Sequence, residues 1–176
     1  ELSKLLDKLC VSAIELDGIT NSSVDSLRIK SIASAVCDSI VAVPVQLNID
    51  SVNDTWKALC GAKHPRLQVV ASTSSVQMEY LFHKKPDAML ASIRETITAC
   101  CALCADVEFI ADDATRADPA FLQEAVRTAI CAGAKTITVC DTAGAMLPNE
   151  FTAFIRELYA AVPELKEVTL GVSCSD

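Results

Sequence analysis

A chain of 176 residues that is 51% hydrophobic, with a mean hydropathy of +0.34, can bury a full core as one domain and is too apolar to be disordered. Its net charge of −8 argues against nucleic acid as a partner. No apolar run reaches the roughly 18 residues that would make a membrane span, and no signal peptide precedes the first helix, so a cytoplasmic protein is expected. In chain order, residues 1–10 read as the end of a helix with Leu2, Leu5, Leu6 and Leu9 on one face. Glu1 stands where a chain would start with Met, so further N-terminal sequence is expected. Residues 13–17 form a strand that stops at Gly18, and Ser22 or Ser23 caps a helix carrying Val24, Leu27, Ile32 and Val36. Residues 40–43 begin the next strand. Pro44 lacks a ladder donor, which predicts a bend or an early end there. Residues 50–59 give a short helix in which Trp56 packs on its neighbours, and residues 66–71 a strand. Pro86 starts a long helix through Leu90, Ile93, Ile97 and Cys104.

The stretch from Asp106 to Phe151 is the most regular. Val107 to Ala111 is a β-rich run that stops at Asp112 and Asp113. Asp118 suits a helix cap and Pro119 the first helical position, where its missing N–H costs nothing. Leu122, Ala125, Val126, Ala129 and Ile130 then recur on one helical face, and Gly133 sits where a left-handed C-cap belongs. Thr136 to Cys140 is a buried strand that ends at Asp141-Thr142-Ala143-Gly144. A helix from Pro148 follows, with Phe151, Phe154, Ile155, Leu158 and Tyr159, and residues 168–172 are the last strand. Strands and helices alternate at roughly 30-residue intervals, the size of a βα unit. The strands are nearly continuously apolar, as when helices cover a parallel sheet, and polar residues gather at their C-terminal tips.

These motifs carry a resemblance. V-E-F, two acidic residues, an Arg, the Pro-led helix, A-G-A-x-T-I, D-T-x-G and x-P-x-E-F resemble the 2-isopropylmalate synthase, homocitrate synthase and citramalate synthase family of HMG-CoA-lyase-like TIM-barrel acyltransferases. Ser72 to Tyr80, followed by Lys85-Pro86, is similar to the same family's T-S-x-x-H-M-E-Y segment. The likeness covers nearly the whole chain. It implies an α/β fold, residues 1–176 forming a single partial (β/α)₈-barrel-like domain. Its six parallel strands correspond to the second to seventh of a complete barrel, which needs eight strands and about 250 residues. It also implies a reaction: acetyl-CoA is joined to a 2-oxo acid gripped by a divalent metal.

The resemblance places the site residues. Glu15 matches the acidic residue ending the second strand, and Asp112 stands where the family has Glu; these are the catalytic candidates. Thr142 matches the residue that contacts the keto-acid carboxylate. Gln77, in place of a His, and Ser74 complete the substrate-binding candidates, and Ile110 replaces a polar Ser. The metal ligands are the exception. The first-strand Asp and its neighbouring Arg have no counterpart, the H-x-H position reads Ser173-Cys174-Ser175, and the Asn lies beyond Asp176. Hydroxyls are poor substitutes for imidazole on a divalent metal. No family-type metal site is therefore expected, and no cofactor bound by this chain.

Each candidate has a plainer reading. Asp141 and Thr142 suit the capping of a turn. Asp112 and Asp113 suit solvated turn carboxylates, their side chains pointing to opposite faces. Glu15 suits an ion pair, and His64 and His83 suit the surface. Nine cysteines include Cys101-x-x-Cys104, with no second pair and two histidines in the chain. Buried reduced thiols are expected, with a metal or redox use as the alternative.

Three functions compete: an acyltransferase seen as a partial chain, inactive alone; a non-catalytic barrel remnant that binds a small acid or a partner chain; and a metal-independent lyase or aldolase. For the last, no Lys stands at a strand tip to form a Schiff base. Residues 13–17 and 168–174 would be unguarded sheet edges, covered by a second copy, as a homodimer, or by the remainder of the parent chain.

Overall fold

The computed structural model describes residues 1–20, 22–80 and 83–175, with the backbone alone at Ser22. Seven helices and six strands alternate along it: α1 (Leu2–Lys8), β1 (Ala13–Glu15), α2 (Ser22–Ala33), β2 (Ile40–Val45), α3 (Ile49–Leu59), β3 (Pro65–Ser72), α4 (Ser75–Tyr80), α5 (Pro86–Leu103), β4 (Val107–Asp112), α6 (Pro119–Ala132), β5 (Thr136–Asp141), α7 (Pro148–Ala161) and β6 (Thr169–Cys174). A 3₁₀ turn, Ala114–Arg116, follows β4, and another, Pro163–Glu167, precedes β6. The strands form one sheet in sequential order, every neighbouring pair parallel. It curls into a half-barrel, the incomplete TIM barrel that the sequence predicts.

Period-two alternation sorts the strand residues onto two faces. Ile14, Val41, Val43, Leu67, Val69, Val107, Phe109, Ile137 and Val139 are buried. They meet Ile29 of α2, Val52 and Leu59 of α3, Met89, Ile93 and Ile97 of α5, and Leu122, Ala125 and Val126 of α6 in one core. The intervening residues face the lumen, and many are polar: Glu15, Arg66, Gln68, Glu108, Asp112, Thr138 and Cys140.

The caps follow the sequence closely. The Asp118 carboxylate accepts the Phe121 N–H, Pro119 opens α6, and Gly133 closes it at φ +110°. A side chain on Gly133 would also press within 3.0 Å of Cys101 Sγ. Trp56 packs against the core, and His64 and His83 are exposed. Helix α2 already begins at Ser22, so Ser23 is a helical residue and not the expected cap; the side chain of Ser22 lies outside the described residues.

Four further expectations need correction. Strand β2 continues through Pro44 to Val45 instead of ending there. Even-numbered residues of β2 turn their backbone toward β1, since the Ile40 N–H donates to Ser12 and the Leu16 N–H to Ala42, while Val41 donates to His64 on the β3 side. Pro44 therefore lacks its N–H where β1 has already ended, and no ladder bond is lost. Second, residues 75–80 form a short helix that the strand–helix alternation does not foresee. Third, Leu2, Leu5 and Leu9 are 57–74% exposed, and of the leucine face of α1 only Leu6 packs on the core. Fourth, five of the nine free cysteines are exposed: Cys10, Cys37, Cys60, Cys131 and Cys174. Burial pushes the Cys100 thiol up to about 12 and raises Cys101 and Cys104 as well, which keeps that cluster protonated and unreactive.

Helix α1 is tied down by a carboxylate. Asp7 accepts the backbone N–H groups of Cys37 (2.8 Å), Asp38 (3.0 Å) and Ser39 (2.7 Å). These bonds hold its pKa at about 2. The folded value lies below the unfolded one of about 3.9. The contribution of Asp7 to stability is thus complete above that unfolded value and is lost as pH falls toward about 2. Asp7→Asn should accelerate hydrogen exchange at Cys37, Asp38 and Ser39 at neutral pH. Unchanged exchange at all three would show that Asp7 does not anchor α1.

Candidate functional site

Two polar constellations occupy the half-barrel, one deep on the lumen face and one at the C-terminal tips of β4 and β5. The deep one centres on Gln68. Its Nε2 donates to Glu15 Oε1 (2.9 Å) and to Glu108 Oε2 (3.0 Å), so one amide joins residues 53 and 40 positions away. The small Ala42, opposite Glu15 in the register, leaves room for Glu15 to reach across β2. Glu108, 5% exposed, also accepts the Thr138 hydroxyl and lies 3.6 Å from Arg66 Nη1. Arg66 is fixed in turn by Asp106 at 3.0 Å. Glu108 is therefore fully engaged, whereas Glu15 is exposed and takes one N–H, which leaves lone pairs open to the lumen.

At the tips, the Thr142 hydroxyl donates to Asp112 Oδ1 at 2.6 Å and accepts the Asp113 N–H at 2.9 Å. The Asp112 carbonyl takes both the N–H and the hydroxyl of Thr73, which ties the tip of β3 to that of β4. Asp113 departs from the solvated-turn reading. It is fully buried, lies at φ +55°, and binds Arg116 through two 2.7 Å bonds. That pair raises the pKa of Arg116. Asp141 is a turn-former, as its plainer reading has it. Its carboxylate accepts the Thr115 hydroxyl (2.7 Å) and the Met146 N–H (3.0 Å), and these bonds hold its pKa below the usual carboxylate range. Between the two constellations, burial and then the nearby Asp112 and Glu108 push the Cys140 thiol up to about 11.

The structure thus brings Asp112 and Thr142 together and places Glu15 in the deeper network. Ser74 and Gln77 belong to the start of α4. Ser74, 1% exposed, accepts the Gln77 N–H at 3.4 Å, and Gln77 Oε1 is buried without a partner among the described residues. A cleft of about 540 Å³ opens at the tips of β1, β2 and β3, lined by Ile19, Pro44, Leu47 and Val70, with Lys84 at its rim. Lys84 Nζ is 2.6 Å from Ser92 Oγ. Among the described residues no group of three or more His, Cys, Asp or Glu could hold a metal ion. At the tip of β6 the exposed Ser173 and Ser175 offer hydroxyls, poor ligands for a divalent cation, and Cys174 stands between them as a single thiol.

Sequence reasoning passed over Gln68 and Glu108 and misread Asp113 as solvated. The signal for the first two was polar residues at alternate positions of otherwise apolar strands. For Asp113 it was an Arg three residues ahead.

The HMGL-like family model matches residues 1–176. The chain is 30% identical over 173 residues to a 2-isopropylmalate synthase of Clostridium kluyveri, covering 98% of this chain and 34% of that protein. It is 32% identical over 174 residues to a 2-isopropylmalate synthase of Caulobacter vibrioides, covering 99% of this chain and 33% of that protein. The chain spans about a third of the length of these curated relatives. Among solved structures it is similar to an HMG-CoA lyase from Bacillus subtilis, with a TM-score of 0.73 and 15% identity over 96% of this chain and 58% of that one. It is similar also to the hydroxymethylglutaryl-CoA lyase of Pseudomonas aeruginosa, with a TM-score of 0.71 and 12% identity over 98% and 69%. At these identities the structural likeness speaks for the fold.

Proposed function

Because the chain belongs to the HMGL-like family, we propose that it is a barrel segment of a 2-isopropylmalate synthase-like acyltransferase, serving leucine biosynthesis in the cytoplasm, and that it is inactive alone. The observation that carries this reading is the placement of Thr142 at the tip of β5, above a lumen into which Glu15 projects. Thr142 is assigned to the carboxylate of a 2-oxo acid. Glu15, with free lone pairs, is assigned to proton transfer. Divalent metal and acetyl-CoA belong to the family's reaction, and no step is assigned here through the metal, because its donors do not fit. A second reading, a non-catalytic remnant that binds a small acid, is favoured by Ser173 and Ser175 in place of imidazoles.

A thiol-release assay with acetyl-CoA, 2-oxoisovalerate and manganese should show no turnover by the 176-residue chain, while 2-oxoisovalerate at millimolar concentration shifts the amide resonances of Asp113 and Thr142. Metal-dependent turnover would overturn the assigned inactivity. Silent amides would remove the site.

A homodimer is also proposed. Strands β1 and β6 are the two edges of the sheet, and Val172 on β6 is 56% exposed. About 25 cal/mol per Å² of apolar burial favours covering such surface, and two-fold assemblies are the commonest solution. Light scattering should give a dimer mass at micromolar concentration, and Val172→Lys should lower it. A stable monomer would exclude edge pairing.

A further inference from the structure

The Thr142 hydroxyl has one proton, and that proton is already committed. It points at Asp112 Oδ1 over 2.6 Å, while a lone pair takes the Asp113 N–H at 2.9 Å. What remains is acceptor capacity. A ligand carboxylate, which only accepts, has nothing to receive from Thr142 in this arrangement. It would also meet the like charge of Asp112. The nearby cation is held by Asp113: Arg116 commits two of its five N–H groups to that carboxylate at 2.7 Å each. The other carboxylate at these tips, Asp141, is occupied by Thr115 and the Met146 N–H and is no rival for Thr142.

We propose that Asp112 is an internal competitor for the carboxylate seat at Thr142, so that a small carboxylate binds this tip only when the Asp112 side chain gives up the Thr142 hydroxyl. This rests on the assignment of Thr142 as a carboxylate contact. It reverses the sign expected of a catalytic Asp112 that engages the substrate, since removing that side chain strengthens binding.

Removing the side chain gives up its bond to Thr142 but leaves the backbone links of the tip, including the Asp113 N–H to Thr142. The link from β3 to β4 runs from Thr73 to the backbone carbonyl of Asp112, which any residue supplies. Titrations of the 176-residue chain with isovalerate and with 2-oxoisovalerate, followed at the Asp113 and Thr142 amides, test the proposal. Asp112→Ala should bind about tenfold more tightly than the wild-type chain, the effect of one freed hydrogen bond and one removed like charge. Asp112→Asn, which keeps the shape and drops the charge, should gain about threefold and carries the test if the alanine variant does not fold. Adding Thr142→Val should abolish either gain. Unchanged or weaker binding of both acids by the Asp112 variants would overturn the proposal. Equal gains for isovalerate and 2-oxoisovalerate would support it while counting against the 2-oxo acid assignment. A gain confined to 2-oxoisovalerate would support both.

Discussion

Phe109→Ala is expected to lower the unfolding free energy by about 3–5 kcal/mol, the largest effect of any truncation in the sheet. Phe109 is the largest of the fully buried side chains and lies on β4, which β3 and β5 flank in the interior of the sheet. Its register partners, Val69 on β3 and Ile137 on β5, are also fully buried. Helices cover this face, so the cavity cannot fill with solvent or collapse by a loop shift, which places the loss in the upper part of the range for such truncations. A domain of this kind is stable by about 5–15 kcal/mol, so the variant should unfold at a much lower urea concentration. Ile110→Ala provides the contrast. Its side chain is half-buried on the lumen face, and the loss should stay near or below about 1 kcal/mol. Equal losses at the two positions would show that β4 does not present alternate residues to alternate faces.

Local chemistry made most of this fold legible. Asp118, Pro119 and Gly133 fix both ends of α6 by interactions within a few residues, and the sequence places them correctly. The βα rhythm and the sequential parallel order follow from the same kind of information. Long-range pairing was less legible. Whether Pro44 ends its strand depends on which neighbour its missing N–H faces and on where β1 stops, and neither is written near Pro44. The site divides in the same way. Asp112 and Thr142 stand at strand tips, and the resemblance names them. Their mutual bond requires β4 and β5 to be in one particular register. Glu108 lies inside a run that reads as apolar. Its hydrogen-bond donors Gln68 and Thr138 are 40 and 30 residues away, so only the assembled sheet shows what satisfies it. Asp113 looks like a solvated turn residue because an acidic pair after a strand usually is one. Its left-handed backbone and the returning Arg116 bury it instead.

Glu108→Leu is the second large effect expected, a loss of about 2–3 kcal/mol. Removing one partner of a buried charge pair costs roughly 3–5 kcal/mol when the survivor is stranded. Here Arg66 keeps Asp106 at 3.0 Å and Gln68 keeps Glu15 at 2.9 Å, which trims the loss. The Thr138 hydroxyl loses its acceptor, and one Gln68 N–H is left facing an apolar side chain, each a cost of about 1 kcal/mol. Thr138 has little freedom to turn elsewhere. A side chain on Gly171 of β6 would come within 2.5 Å of Thr138 Oγ1, so the two strands already meet closely at that point. Glu108→Gln should cost less, about 1 kcal/mol, because a rotated amide can accept from Gln68 with its oxygen and donate to Thr138 with its nitrogen. Urea denaturation of both variants decides the matter. A Glu108→Leu variant within about 0.5 kcal/mol of the wild-type chain would mean that the lumen network is energetically idle. In that case Glu108 would not be what fixes Gln68 beside Glu15.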